Sequence, residues 1–151
     1  APVSGGTGCL EAVIGVPALL DQLAKAGLAA TSGADLVALV RSGDKTAIQV
    51  MRDAGRTAGE VLAGVVSLLN PSVIAVGGIL AQAHEQLIAG IRESVYAKSL
   101  PLATQNLLIT ASIAGPRAGI IGASTLVCDQ ILSPAAIETL VDGSEARRGE
   151  S

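Results

Sequence analysis

Two glycine-containing stretches carry residue types that could contact a ligand. The first, residues 4–11, is a glycine-rich loop that runs into a helix, where free backbone amides could hold an anion. It lacks the Gly-Lys-Ser/Thr ending of a phosphate-binding P-loop, which argues against that interpretation. Its last residue, Glu11, offers either a carboxylate for polar ligand groups or a favourable charge in the first turn of the helix.

The second stretch is the pair Gly77-Gly78, which follows an apolar strand predicted at residues 72–76. Two glycines let the backbone turn sharply and come close to a ligand. In open α/β sheets, ligands bind at the carboxyl ends of the strands. The residues alone leave two interpretations open, a tight turn or a nucleotide contact.

A long helix before this strand positions the glycine pair. We expect it to begin after a capping Asp44 and to end at Asn70, because Pro71 disfavours the helical conformation of the residue before it. Its charged side chains lie off a single apolar stripe. The stripe follows a 3-4-3-4 spacing through Ile48, Met51, Gly55, Ala58, Leu62, Val65 and Leu69.

Two strands and a crossover helix form the predicted sheet. The segment 72–76 has no polar alternation, which predicts a strand covered on both faces of a parallel sheet. A second buried strand is predicted at 107–111, with a helix at 80–98 between them whose inner side carries Leu87, Ile91 and Val95. Two strands make a poor sheet alone, so we expect further strands upstream or pairing with another chain.

The remaining segments are predicted to be helical. Residues 9–26 form two short helices or one kinked at Gly15 and Pro17, and residues 34–41 form a short helix. After a turn at 115–117, a helix covers 118–132, and Ser133 caps a last helix at 135–140. Residues 142–151 are polar and charged, and we expect them to be disordered.

The composition limits the classes of function. With a net charge of −3 and interspersed charges, the chain is not expected to grip nucleic acid by itself. Its two cysteines lie far apart, which favours a reducing cytoplasm over a secreted disulfide framework. No stretch approaches the roughly 18 apolar residues that span a bilayer, so no membrane contact is predicted. The chain begins inside an apparent loop, and we interpret it as a fragment.

Several motifs, in the correct order, resemble the ROK family, which is named for repressors, open reading frames of unknown role and sugar kinases. Residues 4–11 resemble the end of its cysteine-rich motif, Cys-x-Cys-Gly-x-x-Gly-Cys-x-Glu. The positions of that motif fall here on Pro2, Ser4, Gly5, Gly8, Cys9 and Glu11. Residues 70–79 and the pattern Gly115-x-x-x-Gly119-x-x-Gly122-Ala123 match later motifs, and we interpret the latter as helix packing.

The resemblance implies a zinc site and a sugar contact in the first motif. In the family, the three cysteines bind structural zinc together with an upstream histidine, but here Pro2 and Ser4 replace two of them. A structural zinc ion is usually held by four protein ligands, and this motif keeps only one of its three cysteines. We therefore expect no zinc and no other metal site. The glutamate that closes the motif is implied to accept hydrogen bonds from sugar hydroxyls, so Glu11 is our candidate sugar-binding residue.

The resemblance also gives the second stretch a role. In the family's kinases, an Asn-Pro, an apolar strand and three glycines let the backbone approach the adenosine end of ATP. This sequence keeps Gly77 and Gly78, our candidate nucleotide contacts, and has Ile79 at the third position. A β-branched side chain there would crowd a ligand and disfavours positive φ. We therefore expect ATP only if the protein is a kinase, and no other cofactor.

The implied fold is α/β: residues 1–141 would form the C-terminal lobe of an actin-like, sugar-kinase-like ATPase fold of the ribonuclease H-like type. Two functions follow from the resemblance. One is the part of a NagC/XylR-type transcriptional repressor that binds a sugar or sugar phosphate and forms homodimers or higher oligomers, with DNA contacted by a domain absent from this chain. The other is the C-terminal half of a cytoplasmic, glucokinase-like sugar kinase. Loss of the cysteines and of the third glycine favours the repressor, and no catalytic residue can be named.

Overall fold

The computed structural model describes residues 9–138, apart from the side chains of His84 and Pro116, and divides at residue 113 into two compact units. Seven α-helices and two strands lie wholly within this part of the chain. They are α1 (Leu10–Ile14), α2 (Val16–Lys25), α3 (Gly33–Arg41), α4 (Lys45–Leu69), β1 (Val73–Val76), α5 (His84–Lys98), α6 (Pro101–Thr104), β2 (Leu108–Ala111) and α7 (Ala118–Ile131). Only α7 belongs to the second unit.

Helix α4 has the predicted ends. The carboxylate of Asp44 accepts a hydrogen bond from the amide of Ala47 at 2.8 Å, which satisfies one free donor of the first turn. At the other end, Asn70 adopts a left-handed conformation with φ 44° and ψ 53°, directly before Pro71. Asparagine tolerates this conformation better than most residues, so it ends the helix and turns the chain toward β1.

The predicted apolar stripe of α4 is right in its first half and wrong in its second. Met51, Gly55 and Ala58 are buried, but Val65 and Leu69 are 38% and 68% exposed. Ala63 and Val66 are buried instead. A 3-4-3-4 spacing repeats every 3.5 residues, whereas an α-helix has 3.6 residues per turn, so the stripe drifts by about 20° per heptad. By the last turns it has rotated away from the core.

Helices α4 and α5 cross in direct backbone contact. A Cβ atom added to Gly59 would lie 2.6 Å from the carbonyl oxygen of Ile91. One added to Gly55 or Gly90 would lie closer still to the carbonyl oxygens of Leu87 and Arg52, respectively. All three positions require glycine, because a real Cβ atom does not approach a carbonyl oxygen so closely. The core is assembled around this crossing.

Charged residues bridge the same two helices on their solvent side. Arg56 pairs with Asp53 at 2.7 Å and with Glu93 at 3.1 Å, and Lys98 pairs with Glu60 at 2.7 Å. The hydrogen bond from Arg56 holds the pKa of Glu93 below its ordinary value, and the bonds to Glu93 and then Asp53 raise the pKa of Arg56. All of these side chains are exposed, so each pair adds little stability.

The strands form a parallel pair with Val73 opposite Leu108 and Val76 opposite Ala111. One face packs on the core, where Ile109 is fully buried and Ile74 and Val76 are partly buried. The predicted burial on both faces is wrong for the described part of the chain, because Val73 and Leu108 are each 53% exposed. Helices α4 and α5 cover one side of the sheet only.

The shorter segments follow local signals. Residues 9–26 form two helices that break at Gly15, with Pro17 in the first turn of α2. Helix α3 begins with a capping box in which Ser32 and Asp35 satisfy each other's backbone amides. The predicted single helix over 80–98 is a 3-10 turn, Leu80–Ala83, followed by α5, whose predicted inner residues are buried.

The second unit contains a 3-10 turn at Gly115–Arg117, α7 and a further helical turn from residue 134. The hydroxyl of Ser133 accepts a hydrogen bond from the amide of Ala136 at 3.3 Å, as its predicted capping role requires. The expected disordered tail, residues 142–151, lies outside the described residues. The packing interpretation of the glycine pattern on α7 stays a prediction, since no atom of this unit lies within 4 Å of a Cβ placed at Gly119 or Gly122.

Candidate functional site

A cavity of about 320 Å³ opens at the carboxyl end of β1. Its lining is almost entirely apolar, and four elements contribute to it: the α1–α2 junction, the middle of α4, the end of β1 with its following loop, and α5. The lining residues are Ile14, Gly15, Val16, Ala54, Ala58, Val76, Gly77, Gly78, Ile79, Leu80, Leu87 and Ile91. Such a cavity suits the apolar body of a small ligand, with polar groups supplied from its rim.

The two glycines after β1 differ in what requires them. Gly78 has φ +95°, a conformation that side-chain-bearing residues rarely adopt. Gly77 has no positive φ, and a Cβ placed there would meet only the Cβ of Ser112, at an ordinary 3.8 Å. The turn thus explains Gly78, while nothing in the described chain requires a glycine at position 77.

Ile79 turns its side chain toward the helices. A Cβ placed at Gly33 would lie 3.0 Å from Cγ2 of Ile79 and 3.2 Å from Cγ2 of Val16. Ile79 therefore packs where the starts of α2 and α3 meet, and it also lines the cavity. The expectation of a conflict with positive φ is not met, because among the described non-glycine residues only Asn70 has positive φ. The other expected consequence of having Ile79 in place of a third glycine, crowding of a ligand by its side chain, stays a prediction.

Glu11 lies on the first turn of α1, exposed to solvent. Its backbone carbonyl accepts the amide of Gly15 at 2.8 Å, and its Cγ would lie 3.4 Å from a Cβ placed at Gly15. Within residues 9–138, its carboxylate has no hydrogen bond or ion pair. Glu11 does not itself line the cavity, but the fold places it one turn before two residues that do, Ile14 and Gly15.

The fold thus brings the α1–α2 junction, which follows the first glycine-containing stretch in the sequence, to the pair Gly77-Gly78 of the second stretch. Sequence reasoning missed the contributions of Gly33 and Val16, which hold Ile79. The only sequence signal at the junction was the helix break at Gly15 and Pro17, which identifies a bend without showing what packs on it.

The cysteine of the first stretch does not belong to a metal-binding cluster in the described part of the chain. Cys9 is exposed and not disulfide-bonded. No group of three or more His, Cys, Asp or Glu side chains that could hold an ion occurs among residues 9–138 with described side chains. This donor set does not fit a four-ligand zinc site. Pro2 and Ser4 lie outside the described residues, and the expected absence of zinc stays a prediction.

Across the part of the chain that the structure describes, no helix combines the length and the apolarity needed to cross a bilayer.

Comparison with known proteins gives a consistent family assignment. The model of the ROK family matches residues 3–130. Glucokinase of Thermotoga maritima is 27% identical over 141 residues, which cover 84% of this chain and 44% of that protein. The chain therefore spans less than half the length of this relative.

Among the solved structures that resemble the fold are two with more than 25% sequence identity. One is a ROK family transcriptional regulator, a homolog of the MLC protein of E. coli, with a TM-score of 0.65 and 32% identity over 71% of this chain and 30% of that one. The other is ROK hexokinase from Thermus thermophilus, with a TM-score of 0.61 and 27% identity over 83% of this chain and 42% of that one. The helix-rich α/β arrangement with two parallel strands, expected for an actin-like fold, is confirmed.

Proposed function

The chain belongs to the ROK family, and we propose that within it this chain is the effector-binding and oligomerisation part of a transcriptional regulator of the NagC/XylR type. The effector is a sugar or a sugar phosphate. Its binding shifts a population of conformers that differ in DNA affinity, and DNA is contacted by a domain outside this chain.

The observation that carries this proposal is the position of Ile79. The family's kinases have a third glycine here, where the backbone approaches the adenosine end of ATP. In this chain the position bears a branched side chain that packs against Gly33 and Val16 and lines the cavity. Because Gly33 has no side chain, the methyl groups of Ile79 fill the space beside it, and a nucleotide would have to displace them.

The chain is similar to a regulator as well as to kinases. The solved ROK regulator is 32% identical over 71% of this chain, and the glucokinase and the hexokinase are each 27% identical over 84% and 83% of it, so these identities do not separate the two functions. The replacement of two motif cysteines by Pro2 and Ser4 also departs from the pattern expected of the family's zinc-binding members.

Glu11 is the residue that we propose for sugar recognition. A carboxylate accepts hydrogen bonds at several positions, and bonds from hydroxyls to a charged oxygen are stronger than neutral ones. The carboxylate of Glu11 has no partner among the described residues, and it lies beside Gly15 at the rim of the cavity. A sugar could therefore place a hydroxyl on Glu11 without breaking an existing bond.

A sugar kinase is the second candidate, and one observation favours it. Gly77 is not required by its φ or its neighbours, so its missing side chain leaves room for a ligand at the carboxyl end of β1. In a kinase, Gly77 and Gly78 would let the backbone approach the adenosine of ATP.

Calorimetry and an activity assay on the full-length protein distinguish the two. We expect D-glucose or another monosaccharide, free or 6-phosphorylated, to bind, and ATP with that sugar to give no ADP. Glu11→Gln should weaken sugar binding about tenfold or more, as expected when a charge-assisted hydrogen bond is lost. Glu138→Gln is the matched control, because Glu138 is also an exposed glutamate on a helix and does not line this cavity.

Three results would count against the proposal. Sugar-dependent ADP formation would favour the kinase. Unchanged affinity in Glu11→Gln would remove Glu11 from the site. A full equivalent of zinc in elemental analysis of the purified protein would contradict the expected absence of metal.

A further inference from the structure

The outer edge of β2 is partly covered by side chains of α5. Leu108 and Ser112 donate their amides to the carbonyls of Ser72 at 2.9 Å and Val76 at 2.8 Å. In a parallel pair the donors alternate along the strand, so Ile109 and Ala111 direct their amide groups away from β1. On that outer side, the guanidinium of Arg92 donates to the carbonyl of Ile109.

A second cavity, of about 480 Å³, lies at the carboxyl end of this edge. Glu85, Ile88 and Arg92 of α5 form one wall, and residues 110–113 form the other. It is separate from the cavity at the end of β1, since the two share no lining residue.

Arg92 brings an uncompensated positive charge to this cavity. Among the described residues no carboxylate pairs with it, and the neighbouring Glu93 is engaged by Arg52 and Arg56. A guanidinium has five N–H donors, and the bond to Ile109 holds the group in place while leaving donors unused. The arginine is therefore pre-oriented for a further acceptor.

The backbone supplies a second donor. Ala111 lines the cavity, and its amide points to the outer side of β2 because it alternates with Ser112. No described residue accepts a hydrogen bond from this amide. The one acid in the lining, Glu85, precedes Arg92 by two helical turns, or about 10.5 Å along the axis, and the two side chains form no ion pair in the described part of the chain.

We propose that the cavity between α5 and the outer edge of β2 is a binding site for a small anion, namely the carboxylate or phosphate group of a small molecule. Arg92 and the amide of Ala111 are its donors. Guanidinium geometry matches both groups, since either presents two oxygens at the spacing of the arginine fork. The site does not depend on whether the protein is a regulator or a kinase.

The test is a titration of the ¹⁵N-labelled full-length protein, followed by NMR. Inorganic phosphate and acetate are added in separate series, with chloride exchanged out to keep the ionic strength constant. We expect saturable shifts of the amides of Ala111, Ser112 and Ile113, and the tighter of the two probes identifies the preferred group. If phosphate and acetate bind with equal affinity, the site recognises only a negative charge and a pair of oxygens.

Two variants separate a local site from a general effect of charge. Arg92→Gln should weaken binding about tenfold, as for loss of a charge-assisted bond. Arg41→Gln removes the same charge from a residue that also donates to a backbone carbonyl, that of Gln82 at 3.1 Å. Arg41 lines a different cavity, which shares only Glu85 with the proposed site. This variant should leave the titration unchanged. Arg92→Lys, which keeps the charge and loses the fork, should fall between wild type and Arg92→Gln.

The proposal fails if the wild-type shifts are linear in concentration and equal for chloride, whatever the variants do. It also fails if Arg92→Gln and Arg41→Gln weaken binding equally. Circular dichroism confirms that each variant is folded, and if Arg92→Gln is not, the comparison of Arg92→Lys with Arg41→Gln decides.

Discussion

The glycines at the α4–α5 crossing and the glycines after β1 serve opposite purposes. At the crossing, the space that a side chain would need is filled by the backbone of the other helix. After β1, the space beside Gly77 and Gly78 is open and adjoins a cavity. The same residue type thus brings two helices together in one region and leaves a surface accessible in the other. The neighbours of each glycine, and for Gly78 also its positive φ, distinguish the two cases.

The largest effect is expected at the crossing. Gly90→Ala would push a methyl group into the carbonyl of Arg52 and to 2.9 Å from the amide of Arg56. Neither backbone atom can move without separating the helices, so we expect a loss of about 3 kcal/mol in the free energy of unfolding. Urea denaturation followed by circular dichroism measures it. A loss below about 1 kcal/mol, the low end of the usual cost of overpacking, would mean that the helices do not cross this closely.

A smaller effect separates the two glycines after β1. Gly78→Ala forces a side chain into a positive-φ conformation and should cost about 1–2 kcal/mol. Gly77→Ala meets no such strain and should change stability by less than about 0.5 kcal/mol. The same urea experiment compares them. Equal losses for the two variants would refute the distinction between a conformational glycine and an open one.

A third variant should stabilise the protein. Gly64 lies on the exposed side of α4, where a Cβ would have no atom within 4 Å, and its φ is not positive. Gly64→Ala should therefore raise the free energy of unfolding by about 0.5–1 kcal/mol, because alanine is the better helix former. It lies five residues from Gly59, where the same change should destabilise. If both variants destabilise, an unseen partner covers Gly64.

The smallest expected effect is a loss of folding stability at acid pH. Hydrogen bonds from Arg56 lower the pKa of Glu93, and the backbone amide of Thr31, followed by the hydroxyls of Thr31 and Ser32, lowers the pKa of Asp35. A depressed carboxyl pKa contributes stability that is present at neutral pH and is lost as the pH falls through the folded-state value. Stability should therefore decrease below about pH 4.

Substitution tests the assignment of this acid response. Glu93→Gln and Asp35→Asn should each flatten the loss of stability between about pH 4 and pH 2, because the proton uptake on unfolding is removed. Gly64→Ala adds no titratable group, so its stability change should be the same at both ends of this range. Thermal unfolding across the pH series measures all three, and parallel curves for Glu93→Gln and wild type would exclude the Arg56 contact as the cause.

Features set by neighbours in the sequence were predictable. The Asp44 cap, the end of α4 before Pro71 and the helix break at Gly15 depend on the chemistry of a few adjacent residues, and all three are confirmed. The parallel pairing of the strands also followed from the crossover helix between them. The family was identifiable because its motifs preserve type, spacing and order together.

Features set by distant contacts were not predictable. The stripe on α4 failed toward its end because a small difference between 3.5 and 3.6 residues per turn accumulates. The role of Gly33 was hidden, since it depends on Ile79 meeting it from a loop more than forty residues away. The contacts of Arg92 and Tyr96 with β2 join a helix to a strand that follows it in the chain, so they could be seen only in the fold. The sugar contact of Glu11 stays a prediction.

The side chains on the outer edge of β2 also determine where the sheet can grow. An exposed strand edge invites other strands to pair with it, and charged side chains are a common protection against such association. Arg92 and Tyr96 donate to the carbonyls of Ile109 and Leu107, so an added strand would have to displace them. On β1, the outward groups of Val73 and Ala75 have no partner within residues 9–138. The chain thus partly covers one edge of its sheet with its own helix, and a third strand would meet less obstruction beside β1.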